Sequence, residues 1–110
     1  MSKAAYWQRG ETLDYKNATE TKIEANTVIS FGGHIGVAGT DILPGELGSL
    51  VVTGVFEIDK TATGAIEMGT EVYFDGTGIT DTKGDDTPLA GYAAQAAAAS
   101  DTVILVKLGG

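Results

Sequence analysis

His34 is the sole histidine of this 110-residue chain, and there is no cysteine. Without a second histidine or a cysteine, a zinc site around His34 is not expected. A nucleophilic hydrolase would need His34 to meet a serine and a carboxylate in space. The serines are Ser2, Ser30, Ser49 and Ser100, and none stands in a Gly-x-Ser-x-Gly elbow. Beside Gly33, at the head of an apolar run, His34 reads better as a strand-end histidine. The acidic stretch 75–86 is rich in oxygen ligands but lacks the EF-hand spacing and its closing glutamate. It reads as a solvated hairpin tip. No pair among the fifteen Asp and Glu is singled out for glycosidic cleavage. The glycines of Gly32-Gly33-His34-Ile35-Gly36 lack the Lys-Ser/Thr and the helix of a phosphate loop. No catalytic residue, metal or cofactor is assigned, and the chain reads as non-enzymatic.

The side chains suited to contact rather than to chemistry gather near the N-terminus. Tyr6, Trp7 and Tyr15 lie there with Arg9 between them, and these residue types supply most of the energy of protein interfaces. They are the candidate contact residues. The first ten residues show no strand-like alternation and read as an arm (1–10) that orders on a partner, followed by one domain (11–110). A second reading gives Tyr73, Phe74 and Trp7 to a stacking platform for a carbohydrate.

The elements that must position these residues are short strands. Residues 12–16 alternate apolar and polar, and 27–31 and 34–38 form apolar runs about Gly32-Gly33, a hairpin dipeptide. Pro44-Gly45 marks a turn within 41–46. Residues 50–58 read as one long strand kinked at Gly54. Residues 61–68 read as a short helical turn, 71–74 as a strand, Asp75-Gly76 as a hairpin turn and 81–88 as a polar loop. Strands follow at 89–93 and 102–108. The alanine-rich stretch 93–99 reads as strand end and loop, since it is too short for a helix on its own.

The pattern also repeats. Ile23-Glu24, Thr27, Phe31 and Gly33 recur 43 residues later as Ile66-Glu67, Thr70, Phe74 and Gly76. Each stretch leads to a strand of small residues (35–38, then 90–93) and then to a long β-rich run. Two copies of a three-strand unit, each too small to bury a core alone, would share one. The fold class expected is all-β: a small barrel or compact sandwich of short antiparallel strands, in two pseudo-repeats, with at most one or two helical turns.

Composition bounds the partners. The net charge is -8, and an acidic surface repels phosphate, which argues against a nucleic-acid partner. No stretch approaches the ~18 apolar residues of a membrane span. The first residues carry no apolar signal core, which places the chain in the cytosol of the producing cell or in a particle assembled there.

Six segments in one order carry a further resemblance: 10–15, 36–38, 41–48, 54–60, 69–75 and 103–108. Together, over about residues 10–108, they resemble the small capsid cement, or head decoration, proteins of tailed phages and prophages. The chain departs mildly at Asn26-Thr27, where a Gly-Asp-like pair is common, and in its extreme alanine run. The resemblance implies a small β-barrel-like protein that binds the outside of the phage head and reinforces it. Its partner would be the major capsid protein, its place the virion surface after assembly in the bacterial host cytoplasm, and its state a homo-oligomer such as a trimer. The family offers no catalytic or metal-binding residues to carry over.

Overall fold

The computed structural model describes residues 2–5 and 10–109. Among these residues there are nine strands and no helix. The strands fall into two units. The first holds β1 (Thr12–Lys16), β2 (Val28–Phe31), β3 (His34–Ala38) and β4 (Leu47–Val51). The second holds β5 (Gly54–Asp59), β6 (Glu71–Phe74), the two-residue β7 (Ile79–Thr80), β8 (Leu89–Ala93) and β9 (Val103–Leu108).

The expected repeat is visible in the pairing, with four corresponding strands per unit rather than three and β7 as an extra strand of the second unit. First pairs with last (β1–β4, β5–β9), the middle two pair with each other (β2–β3, β6–β8), and the third also meets the fourth (β3–β4, β8–β9). The register agrees as well, up to a bulge between Val72 and Tyr73 that the first unit lacks. Ile29 faces Gly36 as Val72 faces Gly91, and Val37 faces Val51 as Tyr92 faces Lys107. The units touch through one parallel bridge, His34 to Leu89. These two residues are counterparts, as expected where a pseudo-two-fold relates the units.

Each unit is built around two copies of one local device. An apolar residue makes an isolated bridge (Ile23 with Ile42, Ile66 with Ala97), and a β-turn follows at once. The four turns, 24–27, 43–46, 67–70 and 98–101, each close with a backbone bond from fourth to first residue of 3.0–3.2 Å. In three of them the third residue has positive φ: Asn26 (72°), Gly45 (81°) and Gly69 (89°). A type II turn requires that conformation, which explains glycine or asparagine at these positions.

A buried polar residue ends the first strand of each unit. Asn17 is fully buried. Its Nδ2 donates to the carbonyls of Thr21 (2.8 Å) and Ile42 (2.9 Å), while its Oδ1 accepts from the Thr19 amide (2.9 Å). Lys60, its counterpart, donates from Nζ to the carbonyls of Ala62 (2.8 Å) and Ala99 (3.4 Å). Both side chains tie the following loop to the unit, and their burial is tolerated because their polar atoms are partnered.

The sheet is open rather than a barrel: its order is β1-β4-β3-β8-β6-β7, with β2 on β3 and β5 on β9. The two units fold over a shared core as in a sandwich. That core is Ile58, Ile66, Val72, Ile79, Ala90, Ala93, Ala97, Ile104, Val106 and Leu108 of the second unit with Ile35 and Val37 of the first.

Two local expectations need correction. Residues 50–58 are not one kinked strand. β4 ends at Val51 and stays with β1 and β3, while β5 begins at Gly54 and pairs with β9. The boundary between the units falls there, and an unbroken strand could not serve both. Residues 61–68 form no helical turn, because the amides of Thr61 and Ala62 donate to the Ile79 carbonyl and Ile66 bridges Ala97. The alanine run behaves as expected: β8 ends at Ala93, and Ala97 is buried in the core opposite Ile66.

Candidate functional site

The units differ most where one has a strand and the other has none. In the first unit β2 and β3 are joined by Gly32-Gly33 alone. In the second, the longer connection from β6 to β8 carries β7. That strand pairs with β6 (Tyr73 with Thr80, Phe74 with Ile79), and Ile79 bridges Lys60. The Ile79 side chain is fully buried in the core with Ile58, Ile66 and Val72. The counterparts of Ile58, Ile66, Val72 and Phe74 in the first unit are Tyr15, Ile23, Ile29 and Phe31. All four are half-buried, whereas Ile58, Ile66 and Val72 are buried; Phe74 is half-buried like Phe31. An apolar face that the second unit closes is therefore open in the first.

Beside this face lies a shallow groove of about 450 Å³ lined by Leu13, Phe31, His34, Ile35, Val52 and Leu89. Leu13 is 37% exposed. Further apolar side chains stand out at the turns: Leu43 and Leu47 flank Pro44-Gly45, and Met68 precedes Gly69. Apolar surface of this kind on a small acidic protein is suited to contact with another macromolecule.

The residues singled out for chemistry are not brought together. His34 is exposed at the head of β3, and its ring lies 5.9 Å from that of Phe31 at an angle of 37°. Among the described residues its side chain makes no hydrogen bond to a serine or carboxylate. Tyr73 and Phe74 are neighbours in one strand and so face opposite ways. Phe74 packs on the core, whereas Tyr73 lines a separate, polar groove with Glu71, Lys83, Asp85 and Asp86, so the two cannot form one platform. Tyr15 lies in β1 opposite Gly48. Tyr6, Trp7 and Arg9 lie outside the described residues.

The acidic hairpin has a structural task. Asp75 accepts hydrogen bonds from Thr61 Oγ1 (2.6 Å) and from the amides of Thr77 and Gly78 (2.9 Å each). It thereby closes the β6–β7 turn and pins it to the end of β5. No group of three His, Asp or Glu among the described residues is placed to hold a metal. The Thr61 hydroxyl above all, then the Gly78 and Thr77 amides, hold the Asp75 carboxyl below its ordinary pKa. A depressed carboxyl pKa stabilises the fold above the ordinary value near 3.8, and the gain is lost as pH falls through the lower, folded value. The unfolding temperature of the wild-type chain should therefore exceed that of Asp75→Asn at neutral pH. The gap should narrow through the acid range below about pH 4. A gap independent of pH would exclude an ionised Asp75 from the effect.

The comparisons with known proteins decide the class. Residues 7–108 match the family model for phage cement proteins. This chain belongs to the phage cement protein family. No curated protein and no solved structure matches it. A phage cement protein is a structural component of the capsid, so the relevant feature of this cement protein is its surface rather than a cleft. The contact residues expected from the sequence are Tyr15 and its neighbours in the arm. Ile23, Ile29 and Phe31 were not singled out, because in sequence they look like any strand's inward face.

Proposed function

We propose that this cement protein docks on the outside of the phage head and stiffens the shell by bridging neighbouring capsomers. The family match over residues 7–108 carries the reading. The rest of the molecule suits it. Short paired strands, tight turns and partnered buried polar groups make a pre-ordered body, and a pre-ordered binder loses less entropy on docking. A modest contact per copy, repeated over a shell, sums to a large gain because each further contact is effectively intramolecular. Tyr6, Trp7 and Arg9 of the arm, together with Tyr15, are the residues proposed to touch the shell. Grouping as a trimer at a local three-fold of the shell would multiply each copy's contribution.

Co-sedimentation with immature and expanded heads tests the reading. The chain should pellet with at least one head form, and decorated heads should survive heating or salt dilution that opens bare ones. Absence of binding to both forms would overturn the proposal.

A further inference from the structure

The open face of the first unit has a defined shape, because the second unit shows what fills it. Two features coincide there. The first is the half-buried apolar set Tyr15, Ile23, Ile29 and Phe31; the counterparts of the first three, Ile58, Ile66 and Val72, are buried in company with Ile79. The second is the outer edge of β2, which pairs only with β3 among the described residues. The two-residue loop Gly32-Gly33 makes Phe31 and His34 the closing hydrogen-bonded pair of the hairpin. Hydrogen-bonded and non-bonded pairs alternate along an antiparallel ladder, so the N–H and C=O of Ser30 point away from β3. The counterpart of Ser30 is Tyr73, and Tyr73 faces Thr80 of β7. The Ala18 amide corresponds to that of Thr61, which donates to the Ile79 carbonyl (2.9 Å). Among the described residues the Ala18 amide has no acceptor.

We propose that this face is a strand-acceptor site for a short extended segment of the major capsid protein, bearing a β-branched aliphatic residue where the second unit uses Ile79. The segment would run along β2, pair with the outward N–H and C=O of Ser30, take the Ala18 amide on its carbonyl, and cover Ile29 and Phe31. Strand addition of this kind draws affinity from the backbone and selectivity from the apolar pocket. A second copy of the chain is a poorer occupant. Each copy's own β7 is already paired with β6 and anchored in its own core. The proposal rests on the decoration reading and assigns that reading one surface.

Ser30→Pro tests it. Proline at this position removes a donor that faces outward and leaves the β2–β3 bonds in place. The variant should bind heads assembled from the major capsid protein of the same phage about tenfold more weakly, the equivalent of one backbone hydrogen bond. Hydrogen exchange on the unsubstituted chain is the second measurement and needs no variant: the Ser30 and Ala18 amides should exchange more slowly on decorated heads than in the free protein. Full-strength binding by folded Ser30→Pro, or unchanged exchange at both amides on decorated heads, would overturn the proposal. A dimer of the free chain that Ser30→Pro abolishes would overturn the choice of occupant in favour of a second copy. Failure of the unsubstituted chain to bind heads at all would remove the decoration reading itself.

Discussion

Gly91→Ala should be the most damaging single-atom change in this protein. Gly91 lies in β8 with φ of 146°, which side chains rarely adopt. A Cβ there would overlap the backbone carbonyl oxygen of Lys107 and come 3.2 Å from the Leu108 Cα. The obstacle is the main chain of β9, which pairs with both β5 and β8 and cannot step aside without parting one of them. Backbone strain and overpacking each cost about 1–3 kcal/mol, so the loss should be about 3–5 kcal/mol. Total stability for a domain of this size is about 5–15 kcal/mol, so thermal unfolding should show a drop of well over ten degrees, or no folded protein. The counterpart substitution Gly36→Ala gives the contrast. Its Cβ would meet the Leu50 side chain, 2.6 Å from Cγ, rather than main chain. A cost of about 1–3 kcal/mol is expected there. Equal, small losses at both sites would mean that β8 and β9 do not approach as described.

Ile79→Ala should come next. The side chain is fully buried, and the backbone carbonyl of the same residue accepts from the amides of Thr61 (2.9 Å) and Ala62 (3.2 Å). Truncating a fully buried isoleucine costs about 2–5 kcal/mol, depending on how far the site can collapse. Here collapse is limited, because β7 is two residues long and held by Asp75 at its turn. Amide exchange at Thr61 and Ala62 should quicken along with the loss of stability, since the lid strand loosens with its anchor. Leu47→Ala is the control. At 65% exposure it should change stability by less than about 0.5 kcal/mol. Should Ile79→Ala cost no more than Leu47→Ala, β7 is not the lid of the second unit. Binding to heads should be lost only in proportion to folding, because Ile79 closes the unit that the capsid segment does not enter.

The particular elements show why some of this was legible in one dimension. The alternating stretch 12–16 and the apolar runs at 71–74 and 103–108 are strands, and burial at period two is clear in β9. Gly32-Gly33 and Pro44-Gly45 mark turns because only certain residues accept those backbone angles. The offset linking Ile23 to Ile66 survived because both residues make the same bridge just before the same turn. The break at 52–53 was missed for an equally local reason. Val51, Val52 and Val55 have the same strand preference, and nothing in them records that the partner strand changes. The proposed contact surface is half legible. Tyr15 is marked by its type, whereas Ile23, Ile29 and Phe31 enter the proposal only because of a strand that is absent beside them.

The sequence by itself determined an all-β chain of two related halves, with an order of motifs that matches capsid cement proteins. These properties are written in residue type, period and spacing, which act over a few neighbours. Only the tertiary structure decided that the sheet stays open, that the halves meet at His34 and Leu89, and that β7 closes one half and leaves its twin exposed. Those outcomes depend on which backbone edges find partners across long stretches of chain, and an unpaired edge leaves no mark on the residues that form it.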